Sequence, residues 1–180
     1  MHRINIAVIG SGDVTPESKE YQIAMEIGRL IARERAIITC GGLGGVMKAV
    51  CQGAFEEKGK DAKTVGILPG ENPEEANQFV NIPIPTGIGE ARNAIVAAAD
   101  AVIAIGGGSG TLSEIALAWK KGKLLLGWRG SGWSGELADK LIDARGRGND
   151  FARDDIIIGF DTAQEAINII KKFLPLNSRK

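Results

Sequence analysis

The sequence predicts an α/β fold with a mostly parallel sheet and helices on both faces. Three observations predict it. Short β-branched runs alternate with segments of helical periodicity along the chain. The strand-like runs are unbroken apolar stretches, which marks strands covered on both faces. Glycine clusters stand directly after three of them, at Gly10/Gly12, Gly41 to Gly45 and Gly106 to Gly110. With 180 residues, the chain is read as one domain, 1–180, of Rossmann-like three-layer architecture.

The elements follow in order. "INIAVI" (4–9) reads as the first strand, and "ESKEYQIAMEIGRLIARE" (17–34) as a helix with Pro16 near its start. "AIITC" (36–40) is a second strand, leading through "GGLGG" into a helix from Val46 to about Lys58. "TVGIL" (64–68) is a strand, followed by the polar loop "PGENPEEANQ". "FVNIPI" (79–84) reads as a short or edge strand, because Pro83 and Pro85 limit pairing. A helix is expected over 89–99, a strand over 100–105 and a helix to about Lys121. Then come a strand at 123–128, a helix at 135–144, a strand at 155–160 and a helix at 162–174, with a polar insert at 145–155.

Composition excludes several classes. Lys+Arg and Asp+Glu balance at 22 each, so there is no electrostatic footprint for nucleic acid or an anionic membrane. No apolar run reaches membrane-spanning length, because Asp100 interrupts the longest, and a cytoplasmic protein is expected. Cys40 and Cys51 lack metal spacing and read as small core residues in a reducing compartment. His2 is the single histidine, so the sequence offers no Ser-His-Asp triad, Cys-His pair or histidine zinc site, and no metal ligand set is expected.

Ligands of such sheets bind at the carboxyl ends of the strands, near the switch point. Three glycine loops on that edge point to a phosphate or nucleotide site. The candidate binding residues are Gly10, Gly12, Gly41, Gly42, Gly44, Gly45, Gly107, Gly108, Ser109, Gly110 and Thr111. In "GGGSGTLSE" (106–114) a helix N-terminus and adjacent backbone N–H groups can face one anion. Thr111-x-x-Glu114 also matches a capping box, which leaves Glu114 either a capping or a catalytic residue. Arg92 falls in an apolar stripe with Ile88, Ile95, Val96 and Ala99 on a helical wheel. It is either a snorkelling or internally paired arginine, or a clamp on a ligand phosphate or ribose. "GSGWSG" (130–135) matches a dinucleotide fingerprint, but crowding by Trp128 and Trp133 argues against that use. Those two indoles are expected to cover the site or join a subunit contact.

These segments resemble the "lonely guy" (LOG) family, once mislabelled lysine decarboxylases. "GGGSGTLSE" is similar to its P-G-G-x-G-T-x-x-E signature, and "CGGLGGVM" (40–47) to its first glycine motif. "GEARNAIVAAADAVIAI" (89–105) corresponds to its M-H-E-R-K segment and the strand that follows. The resemblance covers roughly residues 4 to 128 and extends to a LOG-like branch that includes molybdenum cofactor carrier proteins. Two departures stand out: Gly106 replaces the signature proline, and the histidine and lysine of M-H-E-R-K are missing around Arg92.

The resemblance implies hydrolysis of the N-glycosidic bond of a nucleoside 5′-monophosphate, with phosphate on Gly107 to Thr111 and Arg92 and Glu114 as catalytic residues, no cofactor being required. The alternative it implies is a non-catalytic carrier of a phosphorylated cofactor such as the molybdenum cofactor. DNA processing, known in a related branch, is disfavoured by the zero net charge. The partners expected are a small phosphorylated nucleotide-like ligand and further copies of the chain, as a homodimer or larger assembly, with neither nucleic acid nor membrane.

Overall fold

The computed structural model describes residues 3–144 and 156–176. Among them, seven strands form one sheet: β1 (Asn5–Gly10), β2 (Ile37–Cys40), β3 (Thr64–Leu68), β4 (Ile82–Pro85), β5 (Ala101–Ile105), β6 (Leu124–Trp128) and β7 (Ile158–Phe160). Their order is β4-β3-β2-β1-β5-β6-β7, and every pairing is parallel. The helices are α1 (Lys19–Arg33), α2 (Gly45–Lys58), α3 (Asn93–Val96), α4 (Ser109–Lys120), α5 (Gly132–Leu137) and α6 (Ala163–Phe173). This is the three-layer, Rossmann-like arrangement the sequence predicts.

The alternation of β1 feeds both layers. Ile6 and Val8 pack with α1, α2 and α6, while Ala7 and Ile9 pack on the other face with α3 and α4. From β1 the chain runs outward to β4, then returns to place β5 beside β1 and runs outward the other way. The carboxyl ends of β1 and β5 therefore flank the switch point, where the two departing loops leave a crevice. Two helices on one face approach unusually closely. A Cβ on Gly28 of α1 would lie 2.1 Å from the Val50 carbonyl oxygen, and one on Gly53 of α2 would lie 1.9 Å from that of Met25.

Local chemistry moves several boundaries. The first helix begins at Lys19 because Ser18 caps it, accepting the Tyr21 N–H at 3.2 Å. The strand expected over 79–84 is β4, an edge strand that starts later. Asn81 is held instead by a reciprocal pair with Thr64, donating its N–H to Oγ1 and accepting the Thr64 N–H on Oδ1. The helix expected over 89–99 is a 3₁₀ turn, Gly89–Arg92, followed by the short α3. The 3₁₀ turn has about three residues per turn, so the α-helical wheel misplaces its faces. Val96 and Ala99 are buried with Arg92, but Ile88 and Ile95 are 50% and 48% exposed. The helix expected over 135–144 is α5, which begins earlier and stops at Leu137. Two residues beyond it Asp139 takes a left-handed φ of 61° and binds Arg129 and the Gly159 N–H. The polar insert at 145–155 lies outside the described residues.

The helix contact yields a stability prediction. Gly53→Ala places a methyl group against the Met25 backbone, which cannot retreat as a flexible side chain would. Overpacking of this kind costs about 1–3 kcal/mol. A urea melt should show a lower midpoint for Gly53→Ala, while Gly59→Ala, whose Cβ meets nothing within 4 Å but which has a φ of 55°, reports backbone strain alone.

Candidate functional site

A cavity of about 300 Å³ lies at the switch point. The loop after β1 forms one wall with Gly10, Ser11, Gly12 and Asp13, and the start of α4 forms the opposite wall with Gly108, Ser109, Gly110 and Thr111. Gly41 and Met47 close it from β2 and α2, while Glu90, Arg92 and Asn93 enter from the 3₁₀ turn and α3, and Glu114 from α4. Of the sequence-derived candidates, Gly10, Gly12, Gly41, Gly108 to Thr111, Arg92 and Glu114 meet here.

Gly42, Gly44, Gly45 and Gly107 do not line the cavity; they shape it. A Cβ on Gly45 would stand 2.2 Å from the Ser11 carbonyl oxygen, one on Gly44 2.8 Å from that of Gly12, and one on Gly42 2.6 Å from the Leu68 side chain. Gly107, at φ 94°, leaves no room for a side chain beside Thr111. Its N–H donates to Ser11 Oγ at 2.8 Å, and the Gly106 N–H donates to Ser134 Oγ at 2.7 Å. The first donors free of such duty belong to the first turn of α4. Its N-cap is Gly108, with no side-chain cap, and first-turn N–H groups have no intrahelical acceptor. A Cβ on Gly108 or Gly110 would meet nothing within 4 Å, so the approach to these groups is open.

Thr111 lies inside α4 rather than at its cap, so Glu114 is not part of a capping box. It is 7% exposed, and its carboxylate has no hydrogen-bond or ion-pair partner among the described residues. Burial pushes it up to about 7, against the pull of Arg92 and with a smaller push from Glu90. Arg92 is also 7% exposed. Its Nη1 donates to the Ile67 carbonyl oxygen at 2.9 Å, and its Nε is buried without a partner. Gly41 makes this placement possible, since a Cβ there would stand 2.3 Å from Arg92 Nη1. Arg92 is therefore neither snorkelling nor paired with a carboxylate.

Sequence reasoning missed Ser11, Asp13, Met47, Glu90 and Asn93. Ser11 was legible as the residue between two expected site glycines, and Glu90 and Asn93 flank Arg92 in the segment that carries the resemblance. Asn93 Nδ2 donates to Ser113 Oγ at 2.8 Å, which ties α3 to α4. The two tryptophans do not line the cavity. Trp128 is buried over Gly130, and Trp133, 40% exposed, donates its backbone N–H to the Gly107 carbonyl oxygen. Gly132 packs on the Gly106–Gly107 backbone, so the fingerprint-like glycines 130–135 serve packing. Cys40 and Cys51 are buried free thiols with sulfurs 3.7 Å apart. Among the described residues no group of three or more His, Cys, Asp or Glu is placed to hold a metal ion, and no helix is long and apolar enough to cross a membrane.

The model of the SLOG cluster4 family matches residues 3–159. A molybdenum cofactor binding protein from the phototrophic bacterium Rippkaea orientalis is 34% identical, with a TM-score of 0.79 over 96% of this chain and 98% of that one. The molybdenum cofactor carrier protein of Chlamydomonas reinhardtii is 28% identical, with a TM-score of 0.74 over 95% and 98% of the two chains. An uncharacterized protein of Archaeoglobus fulgidus is 45% identical over 124 residues, covering 68% of this chain and 78% of its own.

The buried carboxyl predicts a pH dependence. Glu114 is raised from 4.5 to about 7, so the unfolded chain releases this proton before the folded one. The stability associated with the neutral form is fully present below about pH 4.5 and is lost as pH rises through 7. The total is on the order of 3 kcal/mol. Glu114→Gln in ligand-free protein should gain on wild type between pH 5 and pH 8. Denaturant midpoints that differ by the same amount at both pH values would contradict the buried, unpaired carboxyl.

Proposed function

The chain belongs to the SLOG cluster4 family, and on that premise we propose that it binds a phosphorylated, nucleotide-like cofactor in the switch-point cavity and carries it without turnover. The molybdenum cofactor is the candidate cargo. The observation that carries this reading is the uncapped first turn of α4, which opens into the cavity through two glycines whose missing side chains leave clear space. A phosphate suits that end of a helix, where free N–H groups and the macrodipole act together. Likeness to a cofactor-binding protein and a cofactor carrier over nearly the whole chain supports carriage over chemistry.

The residues fit the organic, phosphate-bearing part of such a cofactor. Gly108 to Thr111 would hold the phosphate, with Gly10, Gly12 and Gly41 giving the rest of the ligand close backbone walls. The unpartnered Arg92 Nε is a buried donor that an oxygen or ring nitrogen of the ligand would satisfy. When bound, the molybdenum cofactor supplies metal-centred redox chemistry to the enzyme that receives it. Self-association belongs to the same proposal. Ile82, Ile84, Ile88 and Ile95 are exposed apolar side chains, and burial between two copies would remove them from water.

A second reading is hydrolysis of a nucleoside 5′-monophosphate, and one observation favours it. Arg92 and Glu114 share the cavity, and a carboxyl near 7 can exist in either protonation state at neutral pH. In that reaction water adds to C1′ as the C1′–N bond breaks, and the departing base takes a proton. An ionised Glu114 would stabilise the positive charge that grows on the ribose.

Two experiments test these readings. In calorimetry, AMP should bind at least tenfold more tightly than adenosine, and a phosphorylated pterin cofactor more tightly than its dephosphorylated form. Gly108→Val, which fills only the open space before α4, should erase both preferences while the protein stays folded. Equal affinity with and without phosphate would sink the phosphate site. In the second, a panel of nucleoside monophosphates is incubated with the protein and free base is measured by chromatography. A carrier releases none. Release that falls roughly 10²-fold in Glu114→Gln would instead establish the hydrolase.

A further inference from the structure

We infer that the opposite edge of the sheet holds a second anion site, built for a dianionic phosphoryl group. All strands are parallel, so their N-terminal ends share one edge, across the sheet from the first cavity. A cavity of about 410 Å³ opens there. Arg3 leads into β1, Arg35 into β2 and Lys63 into β3, while Lys58 ends α2; all four line this cavity, with Asp61 as the one acidic lining residue among those described. Its floor is made of the buried Ala32, Ala36 and Ala62.

None of the four cations makes an ion pair or side-chain hydrogen bond with a described residue. The acids nearest in sequence are already engaged: Glu57 pairs with Arg33, and Glu34 with Lys171. The simplest structural role for the cations is to offset the negative C-terminal ends of α1 and α2. Each such end is worth about half a negative charge. Together with Asp61 they balance about two of the four cations, and about two positive charges remain. In a chain of zero formal net charge this is a local surplus, matched in size to a phosphate dianion.

Arg35 holds an unusual conformation within this cluster. It sits just beyond α1 at φ 58°, the left-handed position that glycine ordinarily fills after a helix. An arginine there carries backbone strain that a glycine would relieve. The position holds a cation at the cavity mouth instead. Free phosphate and a phosphate monoester share the required chemistry; the alanine floor would favour a monoester with an apolar ring.

The test is a titration of the ¹⁵N-labelled full chain followed by amide shifts, so the two cavities report separately whatever the first one binds. Inorganic phosphate should shift the amides of Arg35, Ala36 and Lys63 saturably, and sodium chloride at equal ionic strength should not. Phenyl phosphate binding more tightly than inorganic phosphate identifies the monoester as the source, and equal binding identifies free phosphate. Arg35→Gly with Lys63→Gln should weaken either probe at least tenfold, although Arg35→Gly alone should melt no lower than wild type. The proposal is overturned if phosphate gives no saturable shift at these amides, if chloride reproduces it, or if the double variant binds as wild type does.

Discussion

The close contact between the loops that leave β1 and β5 governs the rest of the site. Gly10 has no room for a side chain, because a Cβ would lie 2.1 Å from the Ile105 carbonyl oxygen. Ser11 then joins three loops: its N–H donates to Ile105, its hydroxyl accepts the Gly107 N–H, and its carbonyl accepts the Val46 N–H. Ser134 takes the neighbouring Gly106 N–H from the other side. Two consecutive left-handed residues, Gly106 at φ 64° and Gly107 at φ 94°, make these bonds geometrically possible. They also account for the chief departure from the LOG-like signature. A proline at 106 has φ fixed near −65° and no N–H, so it could neither take this conformation nor donate to Ser134.

With those donors committed, polar capacity is concentrated at three places: the first turn of α4, Arg92 and Glu114. Arg92 is anchored to a backbone carbonyl rather than a carboxylate, so its positive charge is not neutralised by a hydrogen-bonded acid. Glu114 lies in the same cavity, yet burial raises its affinity for a proton more than Arg92 lowers it. A buried charge without a partner is costly, and a neutral carboxyl avoids that cost. A neutral Glu114 therefore removes one opposing charge from the cavity at neutral pH, and Glu114 can adjust its proton to the ligand.

Much of this was legible in the sequence. The unbroken apolar runs alternating with helical segments, and the glycines after strands, place the layers and the edge on which the loops meet. What was not legible depends on contacts across the fold. Thr162-x-x-Glu165 and Thr111-x-x-Glu114 are the same motif. In the first, Thr162 caps α6 by accepting the Glu165 N–H, and Glu165 accepts the Asp161 N–H. In the second, α4 starts earlier, at Ser109, because glycine lets the chain enter the helix without a side-chain cap. The start of each helix and tertiary burial distinguish the two glutamates. Ile88 and Ile95 fall outside the buried face for a related reason: residues 89–92 form a 3₁₀ turn, entered through the left-handed Gly87 and Gly89, that the α-helical period does not describe.

The composition of the cavity also bears on carriage against catalysis. Its anion donors are a helix end, worth about half a charge, and one guanidinium, with no lysine among the described lining residues. Glu90, Glu114 and Asp13 stand beside them. Backbone dipoles fix the orientation of a phosphate without the large Coulomb attraction that a cluster of cations would add. A protein that must hand its cargo on is served by that balance: geometric selectivity from glycine walls, moderate attraction, and a carboxyl whose ionisation near 7 opposes the anion. A hydrolase draws on the same Arg92 and Glu114, but it also needs water admitted beside C1′. Holding the ligand intact makes no such demand.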